Sequence, residues 1–179
     1  MKAYITSIGE TTTAVCYWAL QRQGFEPYVI KHKNTSLWEK LKFIFNNETD
    51  DFLRVDADTV CNQNINELIK QDELLWYQAL TYDWFKQDVT HGGVQFVRAG
   101  AIPIVLKHID EAKGQERPET YLSRLPEFHN PRTFGTFEKV CGLNGYKQKD
   151  KRRIEATKMR RGQFGDYDWD LAYILEQIK

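Results

Sequence analysis

Phe52-Leu53-Arg54-Val55-Asp56-Ala57-Asp58-Thr59-Val60 begins as a short buried strand and ends on two carboxylates. Phe52, Leu53 and Val55 supply the apolar body expected of a strand covered on both faces. Alternate side chains of a strand face the same way, so Asp56 and Asp58 can point together. In an open α/β sheet, ligands gather beyond the carboxyl ends of the strands, where this pair falls. Two hard anionic oxygen donors there suit Mg²⁺ or Mn²⁺, ions commonly shared with a substrate phosphate. Acidic residues after a strand also form turns and cap helices, and Asp58 before Thr59 fits that use too.

Working back from this point, the chain alternates. Ala3 to Ile8 reads as a strand closed by Gly9. A helix follows, capped by Thr11 and running to about Gln23, with Val15, Trp18, Ala19 and Leu20 as its apolar stripe and Gly24 as its stop. Phe25 to Ile30 is a second strand. Ser36-Leu37-Trp38-Glu39 is a capping box that opens a second helix with Leu37, Trp38, Leu41, Ile44 and Phe45 inward. The order β-α-β-α-β predicts an α/β fold with a mostly parallel central sheet flanked by helices.

Downstream, Asn64–Lys70 is a short helix and Leu74–Phe85 an aromatic-rich strand whose rings belong to the core. His91-Gly92-Gly93 reads as a loop, and Val94 to Val97 as a strand with one face buried. Ala101 to Ala112 has helical spacing with Pro103 in its first turn, and Pro118 opens another helix. Beyond Pro126 the pattern weakens, with a basic run at 147–161 and an amphipathic segment from Asp168 to Ile178.

Composition narrows the function classes. Lys+Arg and Asp+Glu are both 25, so overall charge favours neither a nucleic-acid nor a membrane partner. The odd, widely spaced Cys16, Cys61 and Cys141 fit reduced thiols rather than a disulfide framework, and no Cys/His spacing suggests zinc. No segment approaches the ~20 apolar residues of a membrane helix. A cytoplasmic protein without a membrane span is the expectation.

Three pieces in this order resemble the GT-A-fold nucleotide-sugar glycosyltransferases, in a shortened form similar to family-2 members. They are Tyr4-Ile5-Thr6-Ser7-Ile8 before a helix, the strand ending in Asp56-Ala57-Asp58, and Gly92-Gly93-Val94-Gln95-Phe96-Val97-Arg98. Arg117-Pro118-Glu119 before a helix is similar to the place where that family carries its acidic catalytic residue. The resemblance spans roughly residues 3 to 130. It implies a Rossmann-type sandwich of one domain over 1–179: a nucleotide-binding half (1–62), a donor and acceptor half (63–130), and a basic segment with an amphipathic helix (131–179). It further implies transfer of a sugar, UDP-linked by first choice, with Mn²⁺ or Mg²⁺ on the diphosphate.

On that resemblance Asp58 ligates the metal, and Asp56 contacts the ribose or an ion-bound water. Thr6 and Ser7 line the nucleotide pocket, and the Gly92-Gly93 backbone approaches the donor. Glu119 takes the acceptor's proton; as a residue alone it also suits a helix N-terminus. His129 is a further metal ligand, with His91 as its competitor. The acceptor is a glycan, a small molecule or an anionic polymer such as DNA. The chain departs from the family in carrying Lys31-His32 where an acid usually contacts the base, and in lacking a paired acidic motif near Glu119.

Two rival readings stand beside this one. Asp56-Ala57-Asp58-Thr59-Val60 fits the nucleophile motif of haloacid-dehalogenase-type phosphatases, with an echo in Gly165-Asp166-Tyr167-Asp168-Trp169-Asp170; that family, however, puts its nucleophile on the first strand. A non-catalytic protein binding nucleotide sugars or nucleic acid through the 147–161 run is the other.

Overall fold

The computed structural model describes residues 1–10, 12–31, 35–71, 74–84, 88–128, 132–134 and 139–145. The elements are β1 (Lys2–Ser7), α1 (Thr13–Arg22), β2 (Glu26–Lys31), α2 (Leu37–Asn47), β3 (Phe52–Asp56), β4 (Thr59–Cys61), α3 (Ile65–Leu68), β5 (Trp76–Asp83), β6 (Asp88–Val97), α4 (Ile102–His108), α5 (Pro118–Ser123), β7 (Arg132–Phe134) and β8 (Gly142–Asn144). The strands form one sheet in the order β2-β1-β3-β6-β5-β8-β4, with β7 also on β5. β1, β2, β3, β5, β7 and β8 run one way, and β4 and β6 run against them. This is the expected α/β sandwich with a mostly parallel sheet.

Helices cover both faces. Cys16 and Leu20 of α1, with Ile65 and Leu68 of α3, pack on Ala3, Ile5, Leu53, Val55, Val94 and Phe96. On the other face Leu41, Ile44 and Phe45 of α2, with Val105 of α4 and Leu122 of α5, pack on Tyr4, Phe52, Trp76 and Val97. Burial on both faces explains why β3 reads as a continuous apolar run rather than an alternating one. The α2 start is as read: Ser36 accepts from Glu39 N at 3.2 Å, and Glu39 accepts from Ser36 N at 2.7 Å. Among the described residues no helix is long and apolar enough to cross a membrane.

Several local expectations are corrected. Thr11 lies outside the described residues; Thr12 immediately precedes α1, and its hydroxyl donates across the fold to the Ala57 carbonyl at 2.9 Å rather than capping the helix. Val15 and Trp18 face outward, and the inward face is Thr13, Cys16, Ala19 and Leu20. Residue type suggested the stripe, but the spacing of about 100° per residue on the sheet side set it. His91-Gly92-Gly93 is not a loop but part of β6. The pairing of β5 with β6 jumps from Gln78↔Gln95 to Leu80↔His91, so Ala79 alone stands against Gly92, Gly93 and Val94. The strand absorbs this bulge at Gly93, whose φ of 74° lies in the left-handed region. Val94 to Val97 are buried throughout, because helices lie over both faces.

Candidate functional site

The carboxyl ends of β1 and β3 lie side by side, with Thr6 opposite Asp56. β3 ends at Asp56; Ala57 and Asp58 form a turn into β4, so strand alternation does not extend to Asp58. The residue that shares Asp56's face is Arg54, which with Phe52 looks toward α2.

Arg54 is 4% exposed, whereas the Asp56 side chain is 36% exposed. Arg54 Nη2 donates to Asp56 Oδ1 and, at 3.2 Å, to Thr6 Oγ1, while Nη1 reaches Gln95 Oε1 at 3.5 Å. Thr6 Oγ1 lies 3.3 Å from the same Oδ1. The ion pair is one-pronged: Asp56 Oδ2 has no hydrogen-bond partner among the described residues, and neither does Arg54 Nε, which is buried.

Lys40 adds a second buried cation. It is 2% exposed, and Nζ donates to the Ser7 carbonyl at 2.7 Å. Burial lowers its pKa; Glu10 and Asp56 oppose that shift, and Arg54 adds to it. Ser7 itself holds the β1–α1 turn together. Its hydroxyl donates to Glu10 Oε2 at 2.7 Å, accepts from Gly9 N at 3.0 Å and lies 2.9 Å from Thr13 Oγ1.

Asp58 is 4% exposed, and its carbonyl accepts from Gly145 N at 3.0 Å. The Thr12–Ala57 bond joins the first turn of α1 to the same turn. The room left by the missing Cβ of Gly93 is filled by Thr59, whose Oγ1 would stand 2.1 Å from such an atom. A Cβ on Gly92 would meet Asn144 Nδ2 at 3.5 Å, an ordinary contact. Glu119, in the first turn of α5, has its Oε2 buried without a partner. One turn further, Ser123 accepts from Gln78 at 3.2 Å, and Gln78, Gln95 and Arg54 are in register across β5, β6 and β3. A polar row therefore crosses the α2 face of the sheet, from Thr6 and Asp56 to the helix that carries Glu119. His91 is exposed on β6. His129 and the 147–161 basic run lie outside the described residues.

Sequence reading missed Arg54 and Lys40. Each carried a signal: Arg54 sits two residues before Asp56 in an otherwise apolar strand, and Lys40 falls on the inward spacing of Leu37, Leu41 and Ile44. Thiol chemistry finds no support here. Burial pushes Cys16 well up, Cys141 up to about 12 and Cys61 higher still.

No group of three or more His, Cys, Asp or Glu among the described residues could hold a metal as a complete cage. The donors that are present fit a different class. Mg²⁺ and Mn²⁺ are commonly held by one or two carboxylates with the rest from water and substrate phosphate. Of the two expected carboxylates, Asp56 keeps Oδ2 without a hydrogen-bond partner among the described residues on a side chain that is 36% exposed, whereas Asp58 in the next turn is buried.

No family model and no curated protein matches the sequence. Among solved structures the chain is similar to a hypothetical transferase from Thermus thermophilus, at 11% identity and a TM-score of 0.50 over 69% of this chain and 76% of that one. Two further likenesses have lower TM-scores. A protein described as a glucose-1-phosphate thymidylyltransferase from Bacillus anthracis gives 0.48 at 10% identity over 94% of this chain and 77% of its own. The glycosyltransferase GlyE of Streptococcus pneumoniae gives 0.44 at 17% identity over 74% and 44%. At 11% identity the first of these likenesses speaks to the fold alone.

Proposed function

We propose that the protein transfers a sugar from a nucleotide-diphosphate donor, UDP-linked by first choice, with Mn²⁺ or Mg²⁺ held by Asp56 and Asp58. One observation carries this reading. A half-exposed carboxylate at the carboxyl end of the parallel strands keeps one oxygen outward, beside two buried cations, Lys40 and Arg54. Anionic oxygens that bind a cation, next to fixed positive charge, suit a metal-bound diphosphate.

When bound, the metal neutralises charge that develops on the leaving diphosphate. Lys40, with two ammonium protons that meet no acceptor among the described residues, adds fixed positive charge on the same side. Thr6 and Ser7, at the carboxyl end of β1, lie on the nucleotide side in this reading, and the Gly92–Gly93 bulge borders the sugar. Glu119 accepts the proton of the acceptor hydroxyl as its oxygen bonds to the anomeric carbon. The bond from that carbon to the diphosphate breaks, and its electron pair leaves with the diphosphate. His129 is the further ligand this reading expects.

Nucleotidyl transfer from a nucleoside triphosphate to a sugar phosphate is the second reading, favoured by the same pair of buried cations. Products separate the two: a nucleoside diphosphate for the first, inorganic pyrophosphate for the second. The test is a melting-temperature screen against UDP-, GDP-, CMP- and dTDP-sugars, with and without Mn²⁺. A true donor at 100 times its Kd stabilises by about 2.7 kcal/mol, or roughly 5–10 °C for a chain of this size. Asp58→Ala should abolish the Mn²⁺-dependent part. A screen in which no nucleotide sugar moves the melting point rejects the proposal, and an unchanged Asp58→Ala response rejects the metal role.

A further inference from the structure

Arg54 is a buried charge in the middle of the sheet, 4% exposed on β3, and burying a guanidinium there costs several kcal/mol unless it is paired. Its pairing is lopsided. Of its five N–H donors, one nitrogen serves both Asp56 Oδ1 and Thr6, another touches Gln95 at the limit of hydrogen-bond distance, and Nε has no partner. A guanidinium placed for stability alone would grip the carboxylate with two parallel bonds. Here it grips one oxygen, and the other is left at the edge of the fold on a side chain that is 36% exposed.

We infer that Arg54 is the positioning residue of the site: it anchors the inner oxygen of Asp56 so that the outer one is held ready for a cation. Thr6 is its second anchor, because its hydroxyl contacts both Arg54 and the same Oδ1. Gln95, opposite Arg54 on β6, steadies the guanidinium from the far side. The inference rests on the proposed cation role of Asp56, and its test is separable from the donor chemistry.

The probe is Mn²⁺ alone, with free ion counted by electron paramagnetic resonance, on the full chain and on Arg54→Met, Asp56→Asn and the double variant. Groups that orient a ligating side chain change metal affinity by about 10–100-fold when removed. Arg54→Met should therefore weaken Mn²⁺ binding by about tenfold or more in the parent. In the Asp56→Asn background the same change should alter it by less than about twofold, since nothing is left to orient. Thr6→Val, a milder and nearly isosteric change, should weaken binding in the same direction and serves if Arg54→Met does not fold. Equal losses from Arg54→Met in both backgrounds overturn the assignment, as does an Asp56→Asn protein that binds Mn²⁺ like the parent. Mn²⁺ binding that shows this coupling, in a protein that binds no nucleotide sugar, sinks the transferase reading and leaves Arg54 in its role.

Discussion

Replacing Gly93 by alanine tests the packing behind the site most directly. Two physical costs coincide there. The backbone has φ of 74°, which costs an L-residue about 1–2 kcal/mol. The new Cβ would also stand 2.1 Å from Thr59 Oγ1 and 3.1 Å from its Cβ, so Thr59 has to move. Thr59 is fully buried and donates to Asn144 Oδ1 at 3.1 Å, so moving it risks that bond, worth about 1 kcal/mol, besides overpacking of about 1–3 kcal/mol. Reduced freedom of the unfolded chain returns only about 0.4–1 kcal/mol. The expected loss is about 2–6 kcal/mol, or roughly 4–22 °C in melting temperature. Urea titration of the parent, Gly93→Ala, Thr59→Ala and the double variant separates the two costs. Relief of the clash should appear as a coupling of about 2 kcal/mol between the two sites. A loss below about 1 kcal/mol, or a coupling near zero, would refute the claim that Gly93 is glycine to make room for Thr59.

Other expectations follow from the same geometry. Lys40→Met should weaken donor binding at least tenfold while melting at or above the parent temperature, because an ammonium buried with one carbonyl partner is costly to desolvate; lost stability with unchanged donor affinity would contradict it. Glu119→Gln should cut transfer by about 10²–10⁴-fold with donor affinity kept, which single-turnover rates and calorimetry can check. His108 lies 3.1 Å from Glu111 and 3.4 Å from Glu127, and its hydrogen bond to Glu111, helped by both carboxylates, raises its pKa above 6.5. A raised folded-state pKa means that its stabilisation is complete below 6.5 and is lost as pH rises through the higher value. His108→Asn should therefore flatten the fall in urea midpoint above pH 6.5; an identical pH profile would show that the pair contributes nothing.

The β-α-β-α-β order, the Ser36–Glu39 box and the Pro118 helix start were legible in the sequence because each depends on neighbours within a few residues. Apolar run length, capping chemistry and proline's fixed φ act locally, so a linear reading captures them. The placement of Asp56 at the carboxyl end of a parallel strand follows from the same local rules. What surrounds it does not. That β8 lies between β5 and β4, that β6 runs against β3, and that Thr59 fills the space at Gly93 are set by partners 34 or more positions away along the chain. Residue type alone also misdirects: Lys40 reads as a surface lysine until α2 lies on the sheet, and Val15 and Trp18 read as core until α1 does. Arg54 is the sharpest case. Its spacing from Asp56 is visible in the sequence, but whether that guanidinium takes one carboxylate oxygen or both depends on Thr6 and Gln95, which the sheet brings to it from two other strands.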